Sequence, residues 1–236
     1  MGMTVLLTGV PGWLGGRFLE ILLKGFENEG PVNDWKLRCL VLDKVDSSYI
    51  DKLSEVNPAG KVVGDITRIE SLKAAVKNVD IVFHMAATNH PNKISELFRI
   101  NTLGTKNILQ ESLNAGVKKF IYISSNSIAG INQHPDKLIT EEDKPQPYLN
   151  YGLSKHYAEC AVRGFQETGK IETVILRPCR FYGPNQPLRQ ARFFKMIRKG
   201  NPVIFGNGLN LRSLTYIDNL CQAMLLAADN ESANGQ

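Results

Sequence analysis

The sequence predicts an α/β fold, a doubly wound parallel sheet covered by helices on both faces. Short apolar runs alternate with helical patterns from the first residues onwards. The runs are continuously apolar, as in strands buried on both faces of a parallel sheet. A glycine-rich turn between the first run and the first helix is also typical of this class.

The elements follow in order along the chain. Strands are predicted where apolar residues run together, and helices where they recur every three or four positions. The predicted strands cover residues 4–8, 37–42, 62–63, 81–84, 119–123 and 173–176. The predicted helices cover residues 15–24, 69–77, 94–115, 151–167, 193–199 and 220–228.

Composition and charge exclude several classes of protein. The 236 residues are 43% hydrophobic and 22% charged, ordinary values for a globular protein. No apolar run is long enough to cross a bilayer and the start lacks the features of a signal peptide, so no membrane partner is expected. The net charge is only +5, and the basic residues between Arg189 and Lys199 fit an anionic small molecule or a solvated helix face. We expect no nucleic-acid partner.

The cysteines and histidines point to a reducing compartment without a structural metal. Four cysteines are far apart in the sequence and form no Cys-x-x-Cys motif. Free thiols are therefore expected, in a cytoplasmic protein. Neither residue type has the spacing of metal ligands.

A glycine-rich turn, Gly9-Val-Pro-Gly12-Trp-Leu-Gly15, follows the first predicted strand. Without Cβ atoms, its backbone N–H groups can approach a pyrophosphate, and the helix N-terminus adds a favourable partial charge. The spacing is GxxGxxG, not the usual GxGxxG. We expect cofactor binding by Gly9, Gly12, Trp13, Leu14 and Gly15.

Two carboxylates bear on which dinucleotide binds. Asp43, at the end of the second predicted strand, can accept hydrogen bonds from the adenosine ribose and would repel a 2′-phosphate, which favours NAD over NADP. Lys44 beside it keeps NADP as the weaker alternative. Asp65 and Ile66 follow the third predicted strand, where the carboxylate can meet the adenine amino group or instead cap the next helix.

The segment Tyr151-Gly-Leu-Ser-Lys155 sets a phenol and an ammonium on one face of a predicted helix. A free tyrosine has a pKa of about 10, and a nearby cation is expected to favour the phenolate. Tyr151 is therefore the candidate base. Ser125 follows the fifth predicted strand, where its hydroxyl can orient a substrate, and Ser124 is the alternative.

Together these residues resemble the extended short-chain dehydrogenase/reductase family, also called the NAD-dependent epimerase/dehydratase family. The resemblance covers nearly the whole chain. Besides the motifs above it includes Phe83-His-Met-Ala-Ala87, Asn101-Thr-Leu-Gly-Thr-Lys-Asn107, Tyr122-Ile-Ser-Ser125, Leu176-Arg-Pro178, Tyr182-Gly-Pro184 and Arg212-Ser-Leu-Thr-Tyr-Ile-Asp218.

The resemblance implies a Rossmann fold and roles for particular residues. Ser125, Tyr151 and Lys155 would form the catalytic triad, with Ser125 preferred because the family's serine lies five residues before a glycine, here Gly130. Lys155 would also hold the nicotinamide ribose. The cofactor path would further include Ile66, Ala86, Ala87, Asn101, Tyr151 and Pro178.

The resemblance also implies a homodimer through the helices at 94–115 and 151–167. Apolar contacts could come from one group of side chains, or the same group could face its own sheet. These are Ile108, Leu109, Leu113, Tyr157 and Val162.

Departures from subfamily patterns narrow the reaction. The family's dehydratases carry an acid just after the catalytic serine, whereas this chain has Asn126-Ser127, so dehydration is disfavoured. We expect hydride transfer at a hydroxyl-bearing carbon of a nucleotide sugar, by a 4-epimerase or reductase. Ser125, Asn126, Arg180 and Arg212 would bind the substrate, since an arginine suits a diphosphate.

Other functions stay open. The segment from Ser124 to Gly130 favours a 3β-hydroxysteroid dehydrogenase-like or other alcohol/ketone oxidoreductase, and Arg180 stands where many UDP-sugar enzymes have an asparagine. A non-catalytic NAD(P)-sensing protein is more remote, because such proteins typically lose the tyrosine or the lysine.

The composition of the chain changes after Pro178, where segments rich in Gly, Pro and Asn, typical of loops, flank a predicted short basic helix. We therefore expect an NAD-binding Rossmann domain at residues 1–178. Residues 179–236 would form a small, incomplete substrate-binding segment that ends in a helix returning to the sheet.

Overall fold

The structure is a computed structural model that describes residues 2–27, 30–53, 59–132, 138–200, 202–204, 206–209 and 211–236. The strands are β1 (Thr4–Thr8), β2 (Lys36–Val41), β3 (Gly60–Val63), β4 (Ile81–His84), β5 (Lys119–Ile123), β6 (Glu172–Leu176), β7 (Arg180–Tyr182) and β8 (Leu214–Tyr216). The α-helices are α1 (Trp13–Lys24), α2 (Ser48–Leu53), α3 (Lys73–Val76), α4 (Ile94–Leu97), α5 (Gly104–Asn114), α6 (Leu149–Gln166), α7 (Leu188–Arg198) and α8 (Ile217–Asp229). Short 3₁₀ helices cover Ile69–Ser71, Asn126–Ile128 and Glu231–Ala233.

The main sheet has six parallel strands in the order β3-β2-β1-β4-β5-β6. The chain winds outwards from β1 to β3 and then crosses back to place β4 on the other side of β1. This is the doubly wound Rossmann order, whose ligands bind beyond the carboxyl ends of the strands at the switch point. The predicted fold class is confirmed.

Alternate residues of the central strands enter two separate cores. Leu7 and Ile121 pack in the core beneath α1 and α8, whereas Leu6 and Phe120 pack in the core beneath α5 and α6. Both faces of these strands are buried, and for this reason their sequences are continuously apolar.

The last helix, α8, completes the first of these cores. Its residues Leu220 and Met224 are buried in the same cluster as Phe18 of α1. The Arg17 guanidinium also donates two hydrogen bonds of 2.8 Å to the Asp218 carboxylate. The helix therefore lies on the sheet as a returning helix. A boundary between residues 178 and 179 stays a prediction.

The segment between β6 and α8 has more structure than the sequence predicted. β7 and β8 pair in parallel, with Arg180 opposite Leu214 and Tyr182 opposite Tyr216. Strands this short lie below the length at which periodicity can be recognised. The helix α7 has no buried residue.

The long helix predicted at 94–115 is present but not regular. Phe98–Leu103 winds as a π-helix between α4 and α5. Such turns are rare and often lie at functional sites. This one carries the buried Asn101.

Of the five residues predicted to form a dimer contact, four face the core and one is exposed. Ile108, Leu109 and Val162 are buried in their own core and Leu113 packs against it, so these four face the sheet rather than a partner. Tyr157 is 47% exposed.

Within the described ranges, no helix is both long enough and apolar enough to span a bilayer.

Candidate active site

A cavity of about 590 Å³ lies at the carboxyl edge of the sheet, at the switch point between β1 and β4. Its size is in the range of small-molecule and cofactor sites. Most of the predicted site residues line it. They are Gly9, Gly12, Trp13, Leu14, Gly15, Asp65, Ile66, Ala86, Ala87, Tyr151, Lys155 and Pro178.

The glycine-rich turn is folded tightly against the strand beside it. Gly9 has a φ of +83°, and a Cβ there would lie 2.8 Å from the Ala86 nitrogen. A Cβ on Gly15 would lie 2.5 Å from the Gly9 oxygen, so the start of α1 also requires a glycine. The turn thus lines the cavity with backbone at the N-terminus of a helix, which fits the pyrophosphate of a dinucleotide.

Trp13 joins this turn to the C-terminal segment. Its indole Nε1 donates a hydrogen bond of 2.7 Å to the Pro184 oxygen. Its ring lies 4.8 Å from that of Phe181 in β7. The cofactor turn and the segment expected to bind substrate are therefore in direct contact.

The opposite end of the cavity lies beyond β2 and β3. Asp65 Oδ1 accepts hydrogen bonds from Thr67 N at 2.8 Å and Thr67 Oγ1 at 2.9 Å. Arg99 Nη1 donates to the same Thr67 hydroxyl at 3.0 Å. The helix-cap alternative for Asp65 is wrong, because Arg68 is the N-cap of the 3₁₀ helix that follows.

Asp43 lies at this end but outside the cavity lining. β2 ends at Val41, so Asp43 stands in the following turn with an exposed side chain. Leu42 and Val45 on either side of it line the cavity. Its contact with a ribose therefore stays a prediction.

Lys155 and Tyr151 lie at the other end of the cavity, one turn apart on α6. The Lys155 side chain is buried, and its Nζ donates a hydrogen bond of 2.6 Å to the Ile123 oxygen. Burial lowers the pKa of this lysine to about 7, and the Glu159 carboxylate acts in the opposite direction.

The expected lowering of the Tyr151 pKa is not found. Burial raises the pKa of the phenol, and a hydrogen bond with the Ser125 hydroxyl opposes the rise. The physical reason is the loss of water around the phenolate, which disfavours the charged form. Tyr151 is therefore poised as a protonated phenol.

The two candidate serines have different surroundings. Ser125 Oγ accepts hydrogen bonds from Ser127 N at 3.2 Å and Ser127 Oγ at 3.0 Å, and it caps the 3₁₀ helix that follows. Ser124 lines the cavity, is 4% exposed, and its Oγ has no hydrogen-bond partner among the described residues. Ser125 thus opposes the rise in the pKa of the phenol, and Ser124 contributes a buried hydroxyl to the cavity lining.

Asn101 lies behind the cavity wall. Its Oδ1 accepts from Thr88 N at 2.8 Å, and its Nδ2 donates to Thr88 O at 2.9 Å and Ser154 Oγ at 3.0 Å. Thr88 itself lines the cavity. Asn101 therefore shapes the wall rather than forming its surface.

The predicted substrate residues are outside the cavity lining. Asn126 is exposed, and its backbone N–H donates to the Pro178 oxygen at 3.1 Å. Arg180 on β7 and Arg212, just before β8, are both exposed. Pairing of β7 with β8 brings their segments side by side, which the sequence alone did not indicate. Of the surrounding segment 205–212, Phe205 and Asn210 lie outside the described residues.

Sequence reasoning missed several lining residues, among them Thr67, Arg99 and Phe181. A signal existed for Thr67, since it directly follows Asp65-Ile66. No local signal exists for Arg99 or Phe181, because each reaches the cavity only through the packing of a distant element.

The sequence of the chain matches the model of the NAD-dependent epimerase/dehydratase family over residues 5–236. The chain belongs to this family, as the resemblance implied. NAD is the family's cofactor, as predicted.

Individual relatives show how broad the family is. The chain is 40% identical over 238 residues to the uncharacterized protein y4nL of Sinorhizobium fredii, covering 98% of this chain and 65% of the relative. It is 30% identical to a UDP-glucose 4-epimerase of Vibrio cholerae, covering all of this chain and 70% of the relative. The chain thus spans about two thirds of the length of these relatives.

Solved structures agree in fold. A double mutant of DesIV, a dTDP-glucose 4,6-dehydratase from Streptomyces venezuelae with NAD and DAU bound, matches with a TM-score of 0.81 at 25% identity, over 97% of this chain and 72% of that one. MoeE5 in complex with UDP-glucuronic acid and NAD matches with a TM-score of 0.76 at 26% identity, over 98% and 74%. The homologues include nucleotide-sugar epimerases and dehydratases.

Proposed function

We propose that this chain performs NAD-dependent hydride transfer at a hydroxyl-bearing carbon of a nucleotide sugar, as a 4-epimerase or a reductase. One observation carries the proposal: Tyr151 and Lys155 line the same cavity as the glycine-rich turn. The proposed proton-exchange group and the proposed pyrophosphate cradle therefore line one cavity.

The residues that would hold NAD are distributed along the cavity. The turn from Gly9 to Gly15 would take the pyrophosphate, and the end beyond β2 and β3 would take the adenosine, with Asp43 favouring NAD over NADP. Bound at the Lys155 end, the nicotinamide ring would supply the chemistry of accepting and returning a hydride.

Tyr151 would exchange the proton. Its buried phenol can donate to a substrate carbonyl, and the phenolate that forms can accept the proton of a substrate alcohol. In its ammonium form Lys155, one helical turn away, would favour the phenolate. Ser125, which opposes the rise in the Tyr151 pKa, would orient the substrate oxygen and the phenol.

Two lines of support favour a nucleotide sugar. The UDP-glucose 4-epimerase relative is similar over the whole of this chain. Arg180, Arg212 and the basic side chains of α7 are exposed in the segment that Trp13 joins to the cofactor turn, and cations there suit a diphosphate. Dehydration is outside the proposal because Asn126-Ser127 supplies no carboxylate.

A second candidate is oxidation of another alcohol, such as a 3β-hydroxysteroid, which the sequence from Ser124 to Gly130 favours. The two can be separated with NAD and a panel of UDP-, GDP- and dTDP-sugars and a hydroxysteroid, using the full-length protein. We expect turnover with a sugar nucleotide. Turnover with the steroid alone would reverse the order of the candidates, and NAD binding without turnover would favour a sensing protein.

Tyr151→Phe tests the assigned base. We expect loss of at least about a thousandfold in kcat with NAD affinity kept, since only the proton acceptor is removed. Tyr157→Phe, on the exposed side of the same helix, is the matched control and should remain active. An active Tyr151→Phe enzyme would refute the assignment.

We also propose the homodimer, now with Leu103 beside the predicted Tyr157 in place of the four residues that face the sheet. Tyr157 on α6 is 47% exposed, and Leu103 in the π-helix is 46% exposed. The two elements are in contact, since the centroids of the Tyr157 and Phe98 rings lie 6.1 Å apart. Sedimentation at micromolar concentration should give a dimer, and Tyr157→Glu should give a monomer. A monomeric wild-type protein would remove the proposal.

A further inference from the structure

His84 is a buried histidine to which the proposed reaction gives no role. It ends β4, where it pairs with Thr8 of β1 on one side and with Tyr122 of β5 on the other. Its ring is fully buried. Nδ1 lies 2.8 Å from Thr8 Oγ1, and Nε2 lies 2.9 Å from Thr105 Oγ1.

The hydrogen-bond network fixes the tautomer of this ring. The Thr105 hydroxyl donates its only proton to the Asn101 oxygen at 2.6 Å, so it must accept from Nε2–H of His84. Nδ1 then carries no proton and accepts from the Thr8 hydroxyl. Thr8 Oγ1 in turn accepts from Ala86 N–H at 3.1 Å. Each donor among these four residues, His84, Thr105, Thr8 and Ala86, therefore has an acceptor within the network.

The ring is also held in the neutral form. Burial, and then the charge of Lys155, lower the pKa of His84 to about 3. Its ring stacks on that of Tyr122 with centroids 5.8 Å apart, and Lys155 Nζ lies 4.3 Å from the same Tyr122 ring. A second positive charge there would be repelled, so neither threonine loses its partner near neutral pH.

The network continues from His84 to the candidate base. Thr105 bonds the backbone of Asn101, whose side chain donates to Ser154 Oγ at 3.0 Å. Ser154 Oγ donates to the backbone oxygen of Tyr151 at 2.8 Å. In the other direction, Thr8 and Ala86 adjoin the glycine-rich turn. His84 therefore stands midway between the cofactor cradle and the tyrosine.

We propose that His84 is a positioning residue that fixes the distance and orientation between the cofactor cradle and Tyr151. It acts through Thr8 on one side and through Thr105 and Asn101 on the other. The proposal rests on the proposed function, because the alignment of the cofactor cradle with Tyr151 matters only if the two take part in one hydride-transfer reaction. Hydride transfer is sensitive to such alignment, and a displacement of about 1 Å costs on the order of a hundredfold in rate.

Replacing either threonine breaks the network on one side only. Thr105→Val keeps the shape of the side chain, and we expect kcat to fall about tenfold with NAD affinity within about twofold. Thr8→Val should instead weaken NAD binding about tenfold, measured by calorimetry. The conservative variants Thr105→Ser and Thr8→Ser restore the hydroxyl and should recover most of each loss.

A matched control separates positioning from stability. Thr173 is also fully buried, and its hydroxyl donates to Gln166 Oε1 at 2.6 Å on the far edge of the sheet. Thr173→Val should lower the melting temperature about as much as Thr105→Val while leaving kcat unchanged. Equal kcat values for Thr105→Val and Thr173→Val would overturn the proposal.

A third measurement needs neither turnover nor a variant. Long-range ¹H–¹⁵N NMR of the wild-type histidine rings at about pH 7 should show a neutral His84 protonated at Nε2. Protonation at Nδ1 would refute the network even if the enzyme is active. If no substrate turns over, the proposed function fails, while the NMR result and the NAD affinity of Thr8→Val still decide the role of His84.

Discussion

The Lys155 ammonium lies 4.3 Å from the centroid of the Tyr122 ring, and the lysine side chain is buried. The ring face, the Ile123 oxygen 2.6 Å away and the Glu159 carboxylate stabilise its charge. They do not fully replace water, and for this reason the pKa of the lysine falls to about 7.

The first prediction concerns stability against pH. In the unfolded chain Lys155 keeps its proton up to a pKa of about 10.4, whereas in the folded protein it loses it near pH 7. Between these values the unfolded state binds more protons, so the free energy of unfolding contributed by this group rises with pH. Wild type should therefore gain stability relative to Lys155→Met from about pH 7 to 10, measured by thermal denaturation. The exposed Lys106→Met is the control and should show no such trend.

The second prediction concerns the glycine-rich turn. Because a Cβ on Gly15 would meet the Gly9 oxygen at 2.5 Å, Gly15→Ala should lower the free energy of unfolding by about 2 kcal/mol. It should also weaken NAD binding at least tenfold by distorting the cradle. Gly164 lies in α6, and apart from its own turn of helix no described residue comes within 4 Å of its Cβ position. Gly164→Ala should raise stability by about 0.5–1 kcal/mol. Chemical denaturation and calorimetry compare the two, and equal effects would contradict the close approach at Gly15.

The third prediction concerns the ion pair that fastens α8 to α1. Arg17 and Asp218 are 12% and 16% exposed and form two hydrogen bonds. Asp218→Asn should therefore cost about 2 kcal/mol in urea denaturation. Lys118 pairs with Asp80 at 3.0 Å, but its side chain is 76% exposed. Lys118→Met should cost at most about 0.5 kcal/mol. A larger loss for Lys118→Met than for Asp218→Asn would show that burial does not decide these energies.

The fourth prediction separates the two serines. Ser125→Ala removes the hydroxyl next to the Tyr151 phenol, and kcat should fall about a hundredfold. Ser124→Ala removes a buried hydroxyl without a protein partner among the described residues. Its stability should be unchanged or higher, with KM raised and kcat nearly kept. Steady-state kinetics and melting curves of both variants test these expectations. If kcat fell only in Ser124→Ala, Ser124 rather than Ser125 would be the serine that acts with Tyr151.

Local sequence predicted most, but not all, of the residues that line the cavity. Twelve predicted residues line one cavity because each directly follows a strand or lies in a motif of fixed spacing, and parallel strands end at one edge. Asp43 and Ser125 were expected at the surface of the site. The structure instead places them beside residues that line it, Leu42 and Ser124, because all four follow the end of a strand, where the direction of a side chain depends on the path of the connecting loop.

By itself, the sequence determined the doubly wound sheet, the glycine cradle and the pairing of Tyr151 with Lys155. These depend on apolar periodicity and on spacings within one element. Tertiary structure alone decided the pKa shifts of Lys155, Tyr151 and His84, the pairing of β7 with β8, and the contact of Trp13 with Pro184. Each of these depends on which distant residues exclude water from a group or come within hydrogen-bond reach of it, and only the packed chain specifies that.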